Sequence, residues 1–265
     1  MKKYLLGNTK LSRLIDMFHG APYHHKGLPK NPFVGDNHVE PSLDEFKRDI
    51  LSKNKLDYDF SGKSCAIVGS SPILLNKEYG KEIDNYDFIV RINEAEVEGF
   101  EKHTGSRTDF RMIGKKTFTN QNLEKSGYVS RWNWFPKLKN EHFILRPLFG
   151  NDLMKYKSIL DCLQQYYGRE DINISFTKDS FEREIERYTN GRLGSTGFNA
   201  IILFAELFDC VDIYGFDHHL ASDTVQYYFL QTSIKLGQSA STHNFNVEKD
   251  VCSELEKIGK LRRHG

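Results

Sequence analysis

The sequence is poor in most features that would settle its class at once. Four cysteines, Cys65, Cys162, Cys210 and Cys252, are too few for a disulfide-stapled fold. None stands in the Cys-x-x-Cys spacing of a zinc or redox site. No run approaches the roughly 18 apolar residues that a membrane span requires. The opening Met1-Lys2-Lys3-Tyr4-Leu5-Leu6 begins like a signal sequence and is broken by Asn8, Thr9 and Lys10. An excess of one charge is missing too: 37 Lys and Arg stand against 36 Asp and Glu, which argues against nucleic acid as the main partner. Neither Gly-x-Gly-x-x-Gly nor the Walker-type glycine loop occurs, so a dinucleotide-dependent oxidoreductase loses its main support. There is no internal repeat and no low-complexity tract.

What is present is the composition of an ordinary globular protein, 38% hydrophobic and 28% charged in 265 residues, enough to bury a real core. Without a membrane span of its own, such a chain is expected in the cytoplasm; a chain whose N-terminal anchor had been removed would look the same. Local basicity at Lys257, Lys260, Arg262 and Arg263 reads as a solvated helix end, with contact to an anionic membrane surface as the lesser reading.

Residues 1–60 are polar and punctuated by Pro22, Pro29, Pro32 and Pro41, which predicts an N-terminal extension wrapping the core around a short helix at 43–53. The core domain is expected over 61–265. Its first strand is Cys65-Ala66-Ile67-Val68-Gly69, a short apolar run ending in glycine, as buried parallel strands do. Further strands are expected at 88–92, 108–113, 142–146, 172–176 and 211–214, and helices at 199–208 and 247–261. Strands alternating with helices predict an α/β fold with a mostly parallel, doubly wound sheet. Ligands in such sheets lie at the carboxyl ends of the strands.

Four strand or helix ends carry candidate chemistry. After the first strand, Gly69, Ser70, Ser71 and Pro72 let backbone approach a ligand and offer amide donors; a plain tight turn fits equally well. On the second strand, Arg91 and Asn93 share one side of an apolar run. Buried polar groups there need partners, either a bound nucleotide or, for Arg91, a carboxylate such as Asp87 or Asp109. Gly194, Ser195, Thr196 and Gly197 open the helix at 199–208, as a simple cap or as an anion site. His243 with Glu248 five residues on suits a general base with a carboxylate to orient it, or an exposed loop histidine. Asp57-Tyr58-Asp59 precedes the core strands and reads as a solvated turn rather than a cation site. His218 and His219 are adjacent, so they cannot share a helix face as metal ligands.

Together these pieces resemble the sialyl motifs of the eukaryotic-type sialyltransferases, family 29 of the glycosyltransferases. Residues 65–111 resemble the long motif, with Tyr79-Gly80, Ile83-Asp84, Asp87, Arg91-Ile92-Asn93-Glu94-Ala95, Gly99-Phe100-Glu101 and Gly105-Ser106-Arg107-Thr108. Residues 194–216 resemble the short motif, with Ser195-Thr196-Gly197-Phe198 and Tyr214-Gly215-Phe216. Tyr227-Tyr228 falls at the third motif, and His243 with Glu248 reproduces the very short one.

The resemblance implies a single-domain GT-A-like variant with a Rossmann-type sheet, and an inverting, metal-independent transfer of sialic acid from CMP-sialic acid to a glycan hydroxyl. By the same resemblance His243 is the base, Glu248 its companion, and Tyr227 a donor to the leaving phosphate. Gly69, Ser70, Ser71 and Asn93 hold the nucleotide. Ser195, Thr196, Gly197, Tyr214 and Gly215 complete the donor site. No cofactor or metal is implied, and the partners are the CMP-sugar and a glycan acceptor. Cys65 and Cys210 match the pair that the family joins by a disulfide, worth roughly 4–5 kcal/mol by loop entropy. Ser70 stands where the family usually has Asn, Gly194 where it has Pro, and the third motif lacks its histidine. These departures keep CMP-3-deoxy-manno-octulosonate open as the donor, and an inactive nucleotide-binding module as a further alternative. Trp132, Trp134 and Phe135 suit either a sugar platform or a core cluster.

Overall fold

The computed structural model describes residues 58–114, 141–146, 173–177, 179–217, 224–225, 227–229, 234–235 and 243–265. The chain divides into two compact units, one of 59–113 with 182–265, the other of 1–58 with 114–181. The helix expected at 43–53, and Asp57, Trp132, Trp134, Phe135, Cys162, His218 and His219, lie outside the described residues.

The first unit is built on five strands: β1 (Cys65–Val68), β2 (Phe88–Ile92), β3 (Phe110–Ile113), and later β6 (Val211–Tyr214) and β9 (Leu261–His264). All pair in parallel, in the order β3-β2-β1-β6-β9. The other unit's described residues form a parallel pair, β4 (His142–Leu145) and β5 (Asn173–Phe176). The helices are a 3-10 turn (Pro72–Asn76), α1 (Gly80–Asp84), α2 (Glu101–Thr104), α3 (Asp179–Tyr188), α4 (Thr196–Leu207) and α5 (Phe245–Lys257). Two short antiparallel strands, β7 (Thr224–Val225) and β8 (Ile234–Lys235), complete the described elements.

Register explains why both sheet faces are covered. Facing residues of parallel strands point the same way, so Ala66, Val68, Ile89 and Tyr214 share one face. That face buries Leu74, Tyr79 and Ile83 from the 3-10 turn and the start of α1, together with Tyr228. The opposite face presents Phe88 and Phe110, which meet Phe204 of α4, Phe208 that caps it and the ring of Phe60 at centroid distances of 5.1–6.2 Å. Phe110, Phe204 and Phe208 are buried, each contributing about 1.5–3 kcal/mol, and half-buried Phe60 and Phe88 contribute less. The doubly wound parallel sheet expected from the sequence is therefore present in this unit.

One element corrects the sequence reading. The last helix ends at Lys257, four residues before the predicted limit, and residues 261–264 form an edge strand. Gly259 at φ 76° reverses the chain, a conformation that a side chain disfavours. The basic residues there are paired, and Arg262 and Lys257 stay largely exposed to solvent as expected. Arg262 donates to both oxygens of buried Asp212 at 2.9 and 2.7 Å, Arg263 meets Glu256 at 3.0 Å, and Lys257 meets Glu254 at 2.7 Å. Lys260 donates to the Phe208 carbonyl at 3.1 Å, at the end of α4.

Candidate active site

In the five-stranded sheet, the chain runs from β1 outward through β2 and β3 on one side, and places β6 and β9 on the other. The order thus reverses between β1 and β6, and the carboxyl ends of those two strands form the topological switch point where such sheets bind ligands. The turn after β1 carries Gly69, Ser70 and Ser71; the turn after β6 carries Gly215, Phe216 and Asp217. The two turns are bonded directly. Gly69 N donates to Tyr214 O at 2.8 Å, Ser71 N to Gly215 O at 3.2 Å, and Ser71 Oγ to Asp217 Oδ2 at 2.8 Å.

These bonds sort the candidates. The Gly69 and Ser71 amides serve the protein, and Ser71 Oγ also caps the 3-10 turn by accepting from Ile73 N at 3.2 Å. A Cβ at Gly69 would lie 2.4 Å from Gly215 O and 3.0 Å from Phe216 Cε2, so glycine is required there by the neighbouring turn itself. Ser70 differs from both. Its carbonyl accepts from Tyr228 N at 3.0 Å, whereas its amide and hydroxyl take no partner among the described residues.

Tyr214 is wholly buried, and its hydroxyl donates to Glu82 at 2.6 Å and meets that of Tyr86 at 3.1 Å. Burial first, then the Glu82 bond, push this phenol far above its ordinary range. Its ring stacks on His264, centroids 4.4 Å apart. Tyr214 therefore serves the switch point through its backbone carbonyl. Beside it, burial alone would raise the Asp212 carboxyl, but Arg262 and His264 hold it below the usual range.

Asn93 closes β2 at φ 49°, in the left-handed region that asparagine tolerates better than other side-chain-bearing residues. Such a backbone persists where its surroundings hold it. Asn93 N donates to Met112 O at 2.8 Å, and Arg111 Nη1 donates to Asn93 O at 2.8 Å and Ala95 O at 3.0 Å. Arg111 is fully buried. The only signal of its role in the sequence is a lone cation in the apolar run Phe110-Arg111-Met112-Ile113. Arg91, also fully buried, donates through Nε to Thr108 Oγ1 at 2.7 Å and through Nη2 to the carbonyls of Thr104, Gly105 and Arg107. It organises the 104–108 loop, and three of these four acceptors are backbone oxygens, a kind of partner the sequence reading does not name beside a nucleotide or a carboxylate.

At the start of α4, Ser195 caps the helix, its Oγ accepting from Phe198 N at 3.2 Å. The helical ladder begins with Asn199 N to Ser195 O at 3.0 Å, so the amides of Thr196 and Gly197 precede it and head the positive end of the helix dipole. Buried Glu248 accepts from Ser195 N at 2.7 Å and from Ser195 Oγ at 2.6 Å. His243, just before α5, places Nδ1 2.7 Å from Leu193 O. A carbonyl only accepts, so in the neutral ring Nδ1 carries the proton and Nε2 the lone pair. Arg192 Nη1 reaches His243 O at 3.4 Å. The entrance of α5 and the segment before α4 are thus stitched together on both sides of Gly194.

Tyr227 stacks on Phe229 with centroids 5.4 Å apart, and between them Tyr228 turns inward to donate its hydroxyl to Glu96 O. Burial pushes the Tyr228 hydroxyl up to about 12.

Residues 29–260 match the sequence profile of glycosyltransferase family 29 (sialyltransferase). The chain belongs to that family. It is 29% identical over 205 residues to a pig protein, CMP-N-acetylneuraminate-beta-galactosamide-alpha-2,3-sialyltransferase 1, covering 76% of this chain and 58% of that one. A mouse protein, CMP-N-acetylneuraminate-beta-galactosamide-alpha-2,3-sialyltransferase 2, is 26% identical over 211 residues, covering 75% and 56%. The chain therefore spans somewhat under two thirds of the length of these curated relatives. The crystal structure of a mammalian sialyltransferase in complex with Gal-beta-1-3GalNAc-ortho-nitrophenol superposes with a TM-score of 0.60 at 21% identity, covering 86% of this chain and 81% of that one. The α/β fold with its parallel sheet is that of the mammalian sialyltransferases, the GT-A-like variant expected above.

In this family-29 chain the cysteines Cys65, Cys210 and Cys252 are free thiols. Cys65 faces Val211 in the β1–β6 register, so Cys210 lies at the adjoining strand start. Burial raises the Cys65 thiol well above its ordinary value, which leaves it a protonated apolar core residue. Among the described residues no helix is long and apolar enough to cross a membrane. Asp59 accepts from Ser61 N at 3.0 Å, closing a local turn.

Proposed function

We propose that the chain transfers sialic acid from CMP-sialic acid to a glycan hydroxyl, with inversion and without a metal ion. The observation that supports this reading most is the His243 Nδ1 to Leu193 O bond, which sets the tautomer a general base requires. It lies on the same helix entrance from which Glu248 holds the cap of α4. Its curated relatives are named for beta-galactosamide acceptors, which favours a galactose-containing acceptor here.

In the reaction, Nε2 of His243 takes the proton of the acceptor hydroxyl as that oxygen attacks the anomeric carbon of the sialyl group. The bond from that carbon to the CMP phosphate oxygen breaks on the opposite face, and its electron pair leaves with CMP. The departing phosphate gains charge, which the amides at the head of α4, the amide and hydroxyl of Ser70, and the hydroxyl of Tyr227 would stabilise. Hydrogen-bond donors fixed in advance suffice for a phosphate monoester leaving group, so no metal is required. Asn93, held by Arg111, would position the nucleotide.

The test is release of CMP from CMP-sialic acid and from CMP-3-deoxy-manno-octulosonate over a panel of galactoside acceptors, with chelator present. Acceptor-stimulated release from CMP-sialic acid is expected. Release only from the octulosonate donor, or only after magnesium is restored, would overturn the reading. CMP binding without any turnover would favour an inactive module.

A further inference from the structure

Phe216 stands between the two halves of the proposed donor site. A Cβ at Gly197, the second residue of α4, would lie 2.8 Å from Phe216 Cε1, with Cδ1 and Cζ at 3.6 and 3.7 Å. A Cβ at Gly69 would lie 3.0 Å from Phe216 Cε2. Cε1 and Cε2 are opposite edges of one benzene ring. The ring is therefore wedged between the turn after β1 and the head of α4, and each neighbour is a glycine with a bare Cα turned to it. At Gly197 the three nearest atoms to the missing Cβ all belong to this ring, so the ring is the first obstacle to a side chain at that position.

The wedge has a consequence for binding. Ser70 follows Gly69 directly, and the Thr196 and Gly197 amides begin α4. One rigid ring thus sets the spacing between donors that would grip the same CMP-sugar from two sides. The half-buried ring touches both glycines, so changing its width moves one set of donors against the other.

We infer that Phe216 is a positioning residue that fixes the gap between the Ser70 turn and the amide end of α4, and that Gly197 is a glycine because of that ring, whereas Gly69 is one because of the Gly215 carbonyl with the ring beside it. The inference rests on the donor site proposed above. It predicts coupling between Phe216 and Gly197. Gly197→Ala in the native background is expected to weaken CMP binding about tenfold, whereas in a Phe216→Leu background it adds less than about twofold. Phe216→Leu alone is expected to weaken CMP binding several-fold while the pH profile of kcat, which reports the base, keeps its shape.

The experiment is a double-mutant cycle on the full chain, read by CMP calorimetry and by thermal melting. Strict additivity in CMP affinity overturns the inference. So does coupling in melting temperature with no coupling in CMP affinity, since the ring would then be packing alone. If Gly197→Ala does not fold, the double variant is compared with Phe216→Leu: CMP affinity within about twofold of that single variant supports the inference, and a larger loss or failure to fold overturns it. Absence of CMP binding by the native chain overturns the donor site itself, an outcome distinct from the others.

Discussion

Glu248 holds both the amide and the hydroxyl of Ser195, at 2.7 and 2.6 Å, across 53 residues of sequence. Both contacts are donated to the carboxylate, so they suit its ionised form, which only accepts. The side chain is buried, and bonds to a buried charge are among the stronger ones in a protein. The link joins the head of α4 to the first turn of α5, and so ties the proposed phosphate donors to the base.

Replacing Glu248 by Gln turns one acceptor into a donor that faces a donor. The expected loss is roughly 1–3 kcal/mol of unfolding free energy, together with weaker CMP binding. Urea titration and calorimetry on the same preparation check both. A variant as stable as the native chain, with native CMP affinity, would contradict the bidentate contact.

Arg91→Met removes four hydrogen bonds from the centre of the 104–108 loop and leaves buried carbonyls without their donor. A loss of roughly 3 kcal/mol or more is expected, measured by denaturant unfolding. Arg91→Lys should recover little of it, because an ammonium cannot reproduce the planar fork. Full rescue by lysine would show that only the charge matters.

His142 gives stability a pH dependence of known sign. Its ring is buried, Nε2 lies 2.8 Å from Ser175 Oγ, and burial lowers its pKa to about 4 from the ordinary 6.5. Between those values the unfolded chain binds a proton that the folded chain refuses. This contribution is intact above pH 6.5 and fades as pH falls toward 4, by roughly 3 kcal/mol at most. His142→Phe is expected to flatten that part of the stability curve measured by urea unfolding from pH 7.5 to 4. An unchanged slope would mean that other groups carry it.

Much of the fold was readable because buried parallel strands are short apolar runs, and the expected limits at 88–92 and 211–214 coincide with β2 and β6. The edge strand β9 escaped because Leu261-Arg262-Arg263-His264 is mostly charged and lacks the alternation of a half-buried strand. Its partners, Asp212 above all, lie 50 residues away. At the site, caps such as Ser195 are local chemistry and could be anticipated. Arg111 behind Asn93, Glu248 on Ser195 and the ring of Phe216 between two glycines are contacts across long sequence separations. No spacing rule announces them. Gly69 was legible as a place of close approach, yet what approaches is the Gly215 carbonyl and Phe216.

The most direct test of the account compares acceptor-dependent CMP release from CMP-sialic acid by the native chain and by His243→Ala, with CMP affinity measured on both. The account predicts equal CMP affinity and a turnover lower by about 10²–10⁴-fold in the variant. Undiminished turnover would remove His243 as the base and contradict the mechanism at its centre.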